Sequence, residues 1–332
     1  MTAPRFWFAG STEEFAPADL VQQAMLADRA GFDGTGLSDH FAPWFPDGRG
    51  TQAWVTLGAI GQQTTKMLGT GVTPVVHHYH PGLIAQAFMS LEELYPGRVY
   101  LGVGSGESVN ESPLGLAWPD IDEQHDRFAS GLEAITALWR GETVTMDASW
   151  FALKDAKLYS RAPRAPKLYV SAFGVKAARI AGQYGDGLWT LGDPDTAPEI
   201  IDAYREACAK HGREPGEIIM QSGMAWAEDG DAALQGARRW KPTQLPEVYI
   251  DDISDPADMQ RRADAQMTDD AFAREGFIVS ADPDEHIERV REIADLGATV
   301  VCLQLIGQAD PLGTIALYGD QVLPALRGVA AH

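Results

Sequence analysis

The stretch that decides the fold is Val99-Tyr100-Leu101-Gly102-Val103-Gly104-Ser105-Gly106-Glu107, an apolar run that ends in glycines and a carboxylate. A short apolar run before glycine is typical of a buried β-strand. Similar runs recur along the chain, at 6–9, 35–38, 67–72, 168–171, 187–190, 218–226 and 299–305. Helical patterns lie between them, at 17–30, 52–63, 81–94, 122–139, 175–184, 197–211, 283–296 and in a last segment that ends at Leu326.

Single helices between consecutive strands force parallel pairing through right-handed crossovers. An open doubly wound sheet uses about six such units, whereas about eight close a barrel. We therefore predict an α/β fold, a (β/α)8 TIM barrel, which takes ~250 residues. The chain has 332, and we assign the remainder to insertions near 108–121, 141–165 and 240–276. No linker interrupts the sequence, so we expect a single domain over residues 1–332.

The charge balance excludes several classes of function. Lys and Arg number 26, Asp and Glu number 47, and the net charge is −21. Nucleic acid and acidic membrane surfaces are bound through basic patches, and the sequence has no basic run. Two distant cysteines, Cys208 and Cys302, exclude a disulfide framework, and no apolar stretch has the length of a signal peptide or membrane helix. We expect a cytoplasmic protein with neither nucleic-acid nor membrane partners.

In a barrel of this type the active site lies at the carboxyl ends of the strands. His40 follows the second strand, and imidazole titrates near neutrality, as a general base should. Asp39 precedes it, but neighbouring residues of a strand point to opposite faces, so Asp39 is not an automatic partner of the ring. A histidine that only hydrogen-bonds a loop carbonyl is the alternative interpretation.

Two other patterns follow strands. Residues 77–80 contain three histidines, yet no H-x-E, H-E-x-x-H or paired cysteine accompanies them. We therefore predict a polar loop and no metal site. Gly174, Val175 and Lys176 open a helix, where first-turn amides and the helix dipole favour an anion such as phosphate. A helix start without any ligand is the alternative.

Longer motifs carry a resemblance to a known family. In order along nearly the whole chain they are Ser11-x-Glu13-x-Phe15-Ala16-Pro17, Ser38-Asp39-His40-Phe41-x-Pro43-Trp44, Ile84-Ala85-Gln86-Ala87-Phe88, Leu94-Tyr95-Pro96-x-Arg98-Val99, Leu101-Gly102-Val103-Gly104-x-Gly106-Glu107 with Asn110, and Ile278-Val279 before Asp282-Pro283-Asp284-Glu285. With these motifs the sequence resembles the luciferase-like flavin and deazaflavin barrels. Within them it resembles most the glucose-6-phosphate dehydrogenases that use coenzyme F420, a 5-deazaflavin.

The resemblance implies a barrel that binds coenzyme F420 at its strand ends, usually as a homodimer. It gives four residues roles in catalysis: His40 as the base for the substrate hydroxyl, Trp44 as an aromatic that steadies this step, Glu107 as the acid beside the deazaflavin pyrimidine edge, and Glu13 as a further carboxylate. It also implies a set of cofactor-binding residues, namely Asp39, Val72, Thr73, Gly106, Glu107 and Asn110, with a phosphate turn at Gly174, Val175 and Lys176. A non-proline cis bond between Gly71 and Val72 is implied as well.

The implied reaction is hydride transfer from an alcohol carbon to C5 of the deazaflavin, while the base takes the hydroxyl proton. The reduced ring gains anionic character, which a protonated Glu107 would relieve. A carboxylic acid is protonated at neutral pH only where burial raises its pKa. The hypothesis therefore requires a buried Glu107.

The sequence departs from the sugar-phosphate branch at the positions that hold the substrate phosphate there. In place of two lysines and an arginine it has Asp193, Ile250 and Gly276. A phosphate opposite Asp193 is repelled as well as unpaired. We therefore expect a neutral alcohol or an unphosphorylated sugar as the substrate. Another F420-dependent redox reaction such as sugar-phosphate oxidation, an FMN-dependent monooxygenase and a non-catalytic cofactor-binding protein remain as alternatives.

Overall fold

The architecture is that of a computed structural model, which describes residues 3–272 and 277–328. In chain order its strands are β1 (Arg5–Gly10), β2 (Gly34–Leu37), β3 (Met67–Pro74), β4 (Val99–Gly104), β5 (Val144–Asp147), β6 (Ala152–Ala156), β7 (Lys167–Ser171), β8 (Gly187–Leu191), β9 (Glu217–Ala225), β10 (Ile278–Val279) and β11 (Val300–Leu305). The helices are α1 (Pro17–Ala30), α2 (Ala53–Gln63), α3 (Pro81–Leu94), α4 (Ser108–Glu111), α5 (Ile121–Trp139), α6 (Val175–Tyr184), α7 (Ala197–Lys210), α8 (Gly230–Ala237), α9 (Pro256–Gln266), α10 (Asp269–Ala271), α11 (Pro283–Asp295), α12 (Pro311–Leu317) and α13 (Leu323–Leu326).

Eight parallel strands form the barrel, in the order β1, β2, β3, β4, β7, β8, β9, β11. The ring is closed because β8 pairs with β9, and β11 pairs with both β9 and β1. Helices occupy the connections between consecutive strands, as parallel pairing requires. The predicted TIM barrel is confirmed, and so is the cis bond between Gly71 and Val72.

Aromatic side chains fill the interior of the barrel. Trp7, Tyr100 and Trp189 are almost fully buried there, and the ring of Trp7 stacks on that of Tyr100 with centroids 4.6 Å apart. Glycine on β2 makes room for them, since a Cβ at Gly34 or Gly36 would lie 2.7 Å from an atom of Trp7 or Tyr100. The filled interior directs any ligand to the carboxyl ends of the strands.

The insertions hold structure that the sequence patterns do not predict. Residues 141–165 contain the antiparallel hairpin of β5 and β6, and residues 108–121 begin with the short helix α4. The region 240–276 contains α9 and α10, and its last four residues lie outside the described part of the chain. Helix α8 was not predicted, and the last helical segment is divided by a π-turn at Tyr318–Val322. None of the described helices combines the length and apolar character that crossing a bilayer requires.

Candidate active site

A cleft lies at the carboxyl ends of the barrel strands. Its volume is about 730 Å³ when the open mouth is included. Five of the residues predicted from the sequence line it: Glu13, His40, Trp44, Val72 and Glu107. They belong to β3 and to the segments that follow β1, β2 and β4, so the barrel topology brings together motifs that are far apart in the sequence.

The imidazole of His40 lies between an acid and an aromatic ring. Its Nε2 is 3.6 Å from Oε1 of Glu13, and its ring centroid is 5.0 Å from that of Trp44. Glu13 is 1% exposed, and its carboxylate accepts hydrogen bonds from the hydroxyls of Ser38 and Thr12. The buried carboxylate thus lies next to the ring nitrogen at which a substrate proton would be accepted.

Asn110 joins three parts of the site. Its Oδ1 accepts from the backbone N–H groups of Phe41, at 2.9 Å, and Ala42, at 3.3 Å. Because these donors fix the oxygen, the amide nitrogen must face the other side. There Nδ2 lies 3.1 Å from Oε2 of Glu107 and 3.2 Å from Nδ1 of His40.

The two contacts at Nδ1 of His40 require opposite tautomers. Asn110 Nδ2 donates to an unprotonated Nδ1, whereas the Ala42 carbonyl, at 3.3 Å, accepts from a protonated one. Only the second tautomer leaves a lone pair on Nε2, the nitrogen nearer Glu13. That tautomer is the one a proton acceptor at Nε2 needs.

Glu107 has the environment of a neutral acid. Burial raises the pKa of its carboxyl above the usual value, and the nearby acids Glu111 and Glu13 add to this. The charge of His40 and the hydrogen bond from Asn110 act in the lowering direction. The direction of the shift is the one that a protonated Glu107 requires.

Asp39 turns away from the cleft, as alternation along the chain predicts. It is 2% exposed and accepts hydrogen bonds from Trp54 Nε1 at 2.8 Å, Thr73 Oγ1 at 2.7 Å and Tyr79 Oη at 3.2 Å. Burial raises the pKa of its carboxyl. Asp39 is thus not among the lining residues of the cleft. Three other predicted cofactor-binding residues, Thr73, Gly106 and Asn110, are also not in the lining.

The amino end of α6 directly follows Phe173, a lining residue, although Gly174, Val175 and Lys176 are not themselves in the lining. Gly174 is the N-cap residue, and no side chain caps the first turn that Val175 and Lys176 begin. A Cβ at Gly174 would meet only open space. Lys176 Nζ pairs with Asp122 Oδ1 at 2.7 Å. Uncapped first-turn amides at an open surface suit an anionic group.

The three histidines at 77–80 have separate partners. His77 contacts the Arg127 guanidinium, and burial followed by that charge lowers its pKa. His78 Nδ1 lies 2.9 Å from Oε1 of Glu111, and His80 is the N-cap residue of α3. Within residues 3–272 and 277–328, no three His, Cys, Asp or Glu side chains are grouped so that they could hold a metal ion.

The sequence has no cation at the three positions where the resemblance places phosphate-binding ones. Asp193 accepts from Thr196 Oγ1 at 2.8 Å and from the backbone of Asp195 at 2.9 Å, so it stabilises the turn before α7. Ile250 is 52% exposed and follows Tyr249, a lining residue. Gly276 lies outside the described residues. No Lys or Arg of the described chain lines the cleft.

The sequence analysis did not identify several residues of the cleft. Gln221 and Gln304 are lining residues on β9 and β11, and Trp240, Thr243 and Tyr249 come from the region 240–276. The sequence feature that could have indicated the two glutamines is their position as polar residues inside strands that are otherwise mostly apolar.

Comparison with known proteins gives the family. The model of the family described as luciferase-like monooxygenase matches residues 1–300. The chain belongs to this luciferase-like family. The fold agrees with this membership, because a solved structure of an F420-dependent enzyme superposes on 98% of the chain.

Two of the luciferase-like relatives are F420-dependent glucose-6-phosphate dehydrogenases. The enzyme of Microbacterium testaceum is 38% identical, with 98% of this chain and 99% of the relative covered. That of Beutenbergia cavernae is 40% identical, with 97% of each covered. A solved F420-dependent secondary alcohol dehydrogenase, in complex with an F420–acetone adduct, is 30% identical with a TM-score of 0.92, and 98% of this chain and 100% of that chain are covered. The predicted resemblance is confirmed.

Proposed function

We propose that this protein is a coenzyme F420-dependent oxidoreductase that moves a hydride between a neutral alcohol and the deazaflavin. The observation that carries the proposal is the convergence of Glu13, His40, Trp44 and Glu107 in one cleft whose described lining has no Lys or Arg. The dehydrogenases reported above share F420 in their names and differ in substrate, a sugar phosphate for some and a secondary alcohol for another. The cofactor therefore has broader support than the substrate.

The residues present fit such a cofactor. The cleft has space for a flat ring, and the uncapped first turn of α6 offers backbone donors to an anionic group of the cofactor. Burial raises the pKa of Glu107, which favours the protonated carboxyl that would stabilise the anionic character of a reduced deazaflavin ring. F420 supplies a ring carbon, C5, that accepts a hydride.

His40 handles the proton in this proposal. If the hydroxyl proton stayed on the substrate while the hydride left, positive charge would build on the oxygen. His40 Nε2 takes that proton, and the carboxylate of Glu13, 3.6 Å away, stabilises the imidazolium. Trp44 packs against the imidazole and limits its movement. In the competent tautomer, Nδ1 donates its proton to the Ala42 carbonyl.

A neutral substrate follows from the charges at the cleft. A phosphate dianion would meet the carboxylate of Glu13 in the lining, and the sequence has Asp193 at a position where the sugar-phosphate branch has a cation. Charge of one sign repels the same sign most strongly where water is excluded. The glucose 6-phosphate specificity of the relatives therefore does not carry over to this chain.

Reduction of purified F420, followed by the loss of its visible absorbance, tests the proposal. We expect reduction with propan-2-ol to be faster than with glucose 6-phosphate at equal concentration. A titration with FMN under the same conditions should show no comparable binding. Oxygen-dependent turnover with FMN, or a higher kcat/KM for glucose 6-phosphate, would contradict the proposal.

A further inference from the structure

On one side of the cleft, six side chains use polar atoms in hydrogen bonds within the protein. We call this side the second wall; it consists of Trp189, Gln221, Trp240, Thr243, Tyr249 and Gln304. The side formed by Glu13, His40, Trp44 and Glu107 is the catalytic wall. The second wall is where a substrate would place the part of its structure that does not react.

A chain of hydrogen bonds crosses the strand part of the second wall. Trp189 Nε1 donates to Gln221 Oε1 at 2.8 Å, and Gln221 Nε2 donates to Gln304 Oε1 at 2.7 Å. Gln304 Nε2 then donates to Ser11 Oγ at 3.1 Å, which in turn donates to the Leu305 carbonyl at 2.6 Å. The oxygen of each amide and one of its two N–H groups are therefore bonded within the protein.

The rest of the second wall is bonded in the same way. Trp240 Nε1 donates to Oε2 of buried Glu14 at 3.0 Å. Thr243 Oγ1 donates to the Trp240 carbonyl at 2.7 Å, and Tyr249 Oη donates to the Thr243 carbonyl at 2.8 Å. These side chains present their carbon surfaces to the cleft while their polar atoms bond within the protein.

Apolar and aromatic surface continues from the second wall to the mouth. The Tyr249 ring lies 5.6 Å from that of Trp44 and also 5.6 Å from that of Phe173, which meets it edge-on. Phe173 is 49% exposed and Ile250 52% exposed, so the apolar surface reaches solvent. The chain has a net charge of −21, so an uncharged, apolar surface at the mouth of the cleft indicates a binding surface for an apolar group.

From these contacts we infer that the substrate is an alcohol with an apolar body, and that sugars are excluded even without a phosphate. This inference rests on the proposed function. A sugar hydroxyl that enters the cleft gives up its hydrogen bonds to water, whereas the indole and hydroxyl donors of the second wall and one N–H of each amide already bond within the protein. The carbon surface of a hydrocarbon ring or chain suffers no such loss.

The reaction is balanced with this substrate. The C–H bond of the carbinol carbon breaks and its hydride goes to C5 of the deazaflavin. The O–H proton goes to Nε2 of His40, and the carbon–oxygen bond becomes the double bond of a ketone. One two-electron oxidation of the alcohol thus matches one two-electron reduction of F420.

A comparison of cyclohexanol with two polyhydroxylated ring compounds provides the test. We expect kcat/KM of the F420-loaded enzyme for cyclohexanol to exceed that for glucose and for myo-inositol by about 100-fold, the discrimination typical of an apolar pocket against added hydroxyl groups. A sugar that is equal or better would overturn the inference and leave the proposed function standing. If no alcohol or sugar reduces F420, both are overturned.

The variant Gln304→Met tests the cause. It removes the acceptor of Gln221 Nε2, so that the N–H that bonds Gln304 in the wild type also becomes free to bond a substrate hydroxyl. We expect the preference for cyclohexanol over glucose to fall by about tenfold, because one sugar hydroxyl gains a partner. Gln62→Met is the matched control. Gln62, on α2, donates a hydrogen bond to the Tyr95 hydroxyl, and neither residue lines the cleft. An unchanged preference in a folded Gln304→Met protein would contradict the explanation.

Discussion

The two walls of the cleft use their polar atoms in opposite ways. On the catalytic wall, Nε2 of His40 stays 3.6 Å from its carboxylate partner, and Nδ1 has two contacts that compete. On the second wall, the amides of Gln221 and Gln304 are bonded at both ends. A group that exchanges protons needs a free lone pair or a movable hydrogen, whereas a group that only shapes a cavity does not. Chemistry and selectivity are therefore assigned to separate walls.

The largest expected effect comes from removing the base on the catalytic wall. His40→Ala should lower kcat by about 10²- to 10⁴-fold, the usual contribution of general base catalysis. F420 affinity, measured by fluorescence titration, should stay near the wild-type value. His211→Ala, which changes an exposed histidine after α7, is the control and should behave as wild type. Full turnover in His40→Ala would show that His40 is not the base, and that proton transfer does not distinguish the catalytic wall from the second wall.

Glu14 offers a test of the second wall, because it accepts the hydrogen bond of Trp240 while its Oε1 has no hydrogen-bond partner among the described residues. Burial raises its pKa from 4.5 to about 7, against smaller lowering by Trp240, Gly307 and Arg239. The folded protein therefore holds this proton more tightly than the unfolded chain. The resulting stability is complete below pH 4.5 and is lost as the pH rises through about 7.

Glu14→Gln should remove this pH dependence and keep an acceptor for Trp240. From pH 4.5 to 7, the free energy of unfolding of the wild type should fall by about 3 kcal/mol relative to the variant. Urea unfolding of both proteins at the two ends of this range measures the difference. A constant difference between wild type and variant at all pH values would show that Glu14 ionises normally.

Glu107 tests the acid on the catalytic wall. Since burial raises its pKa, activity should decline as the pH rises through that raised value and the neutral form is lost. Glu107→Gln is neutral at every pH, so its kcat/KM should lack this alkaline decline, with kcat lower by about 100-fold because an amide donates no proton. An identical alkaline decline in both proteins would assign the ionisation to another group.

The smallest expected effect concerns the mouth. Ile250→Lys places a cation on an exposed position beside Tyr249, where it should raise kcat/KM for glucose 6-phosphate by about threefold through attraction of the anion. Ile250→Met, which keeps the position neutral, should not. The second wall is unchanged in both, so neither variant should approach the rate with cyclohexanol. If Ile250→Lys oxidised glucose 6-phosphate as fast as cyclohexanol, charge alone would determine substrate selectivity.

The sequence predicts the catalytic wall much better than the second wall. The bounds of α1, α3 and α6 agree with the periodic patterns, and His40, Glu107 and Glu13 follow strands whose ends must converge. Gln221 and Gln304 are 83 positions apart, and their contact depends on the register in which Gln221 on β9 pairs with Cys302 on β11. Parallel strands are joined by a long crossover and not by a tight turn, so no local turn motif in the sequence indicates this register.

The same reason explains the other omissions. Asp39 was predicted to face away from His40, but its donors Trp54 and Tyr79 come from α2 and from the loop before α3. The hairpin of β5 and β6 is short and largely polar, so it lacks the apolar run by which the barrel strands were recognised. Local patterns predict elements, whereas partners across elements follow from the fold.

The most direct test of the account is the path of the hydrogen at the carbinol carbon. Propan-2-ol with deuterium at C2 should be oxidised by the F420-loaded enzyme with the deuterium carried into the reduced cofactor, and with slower turnover than the unlabelled alcohol. Such transfer requires the alcohol carbon and the cofactor ring to meet in the cleft beside His40. Deuterium that appears in solvent water instead, with an unlabelled reduced cofactor, would contradict direct hydride transfer.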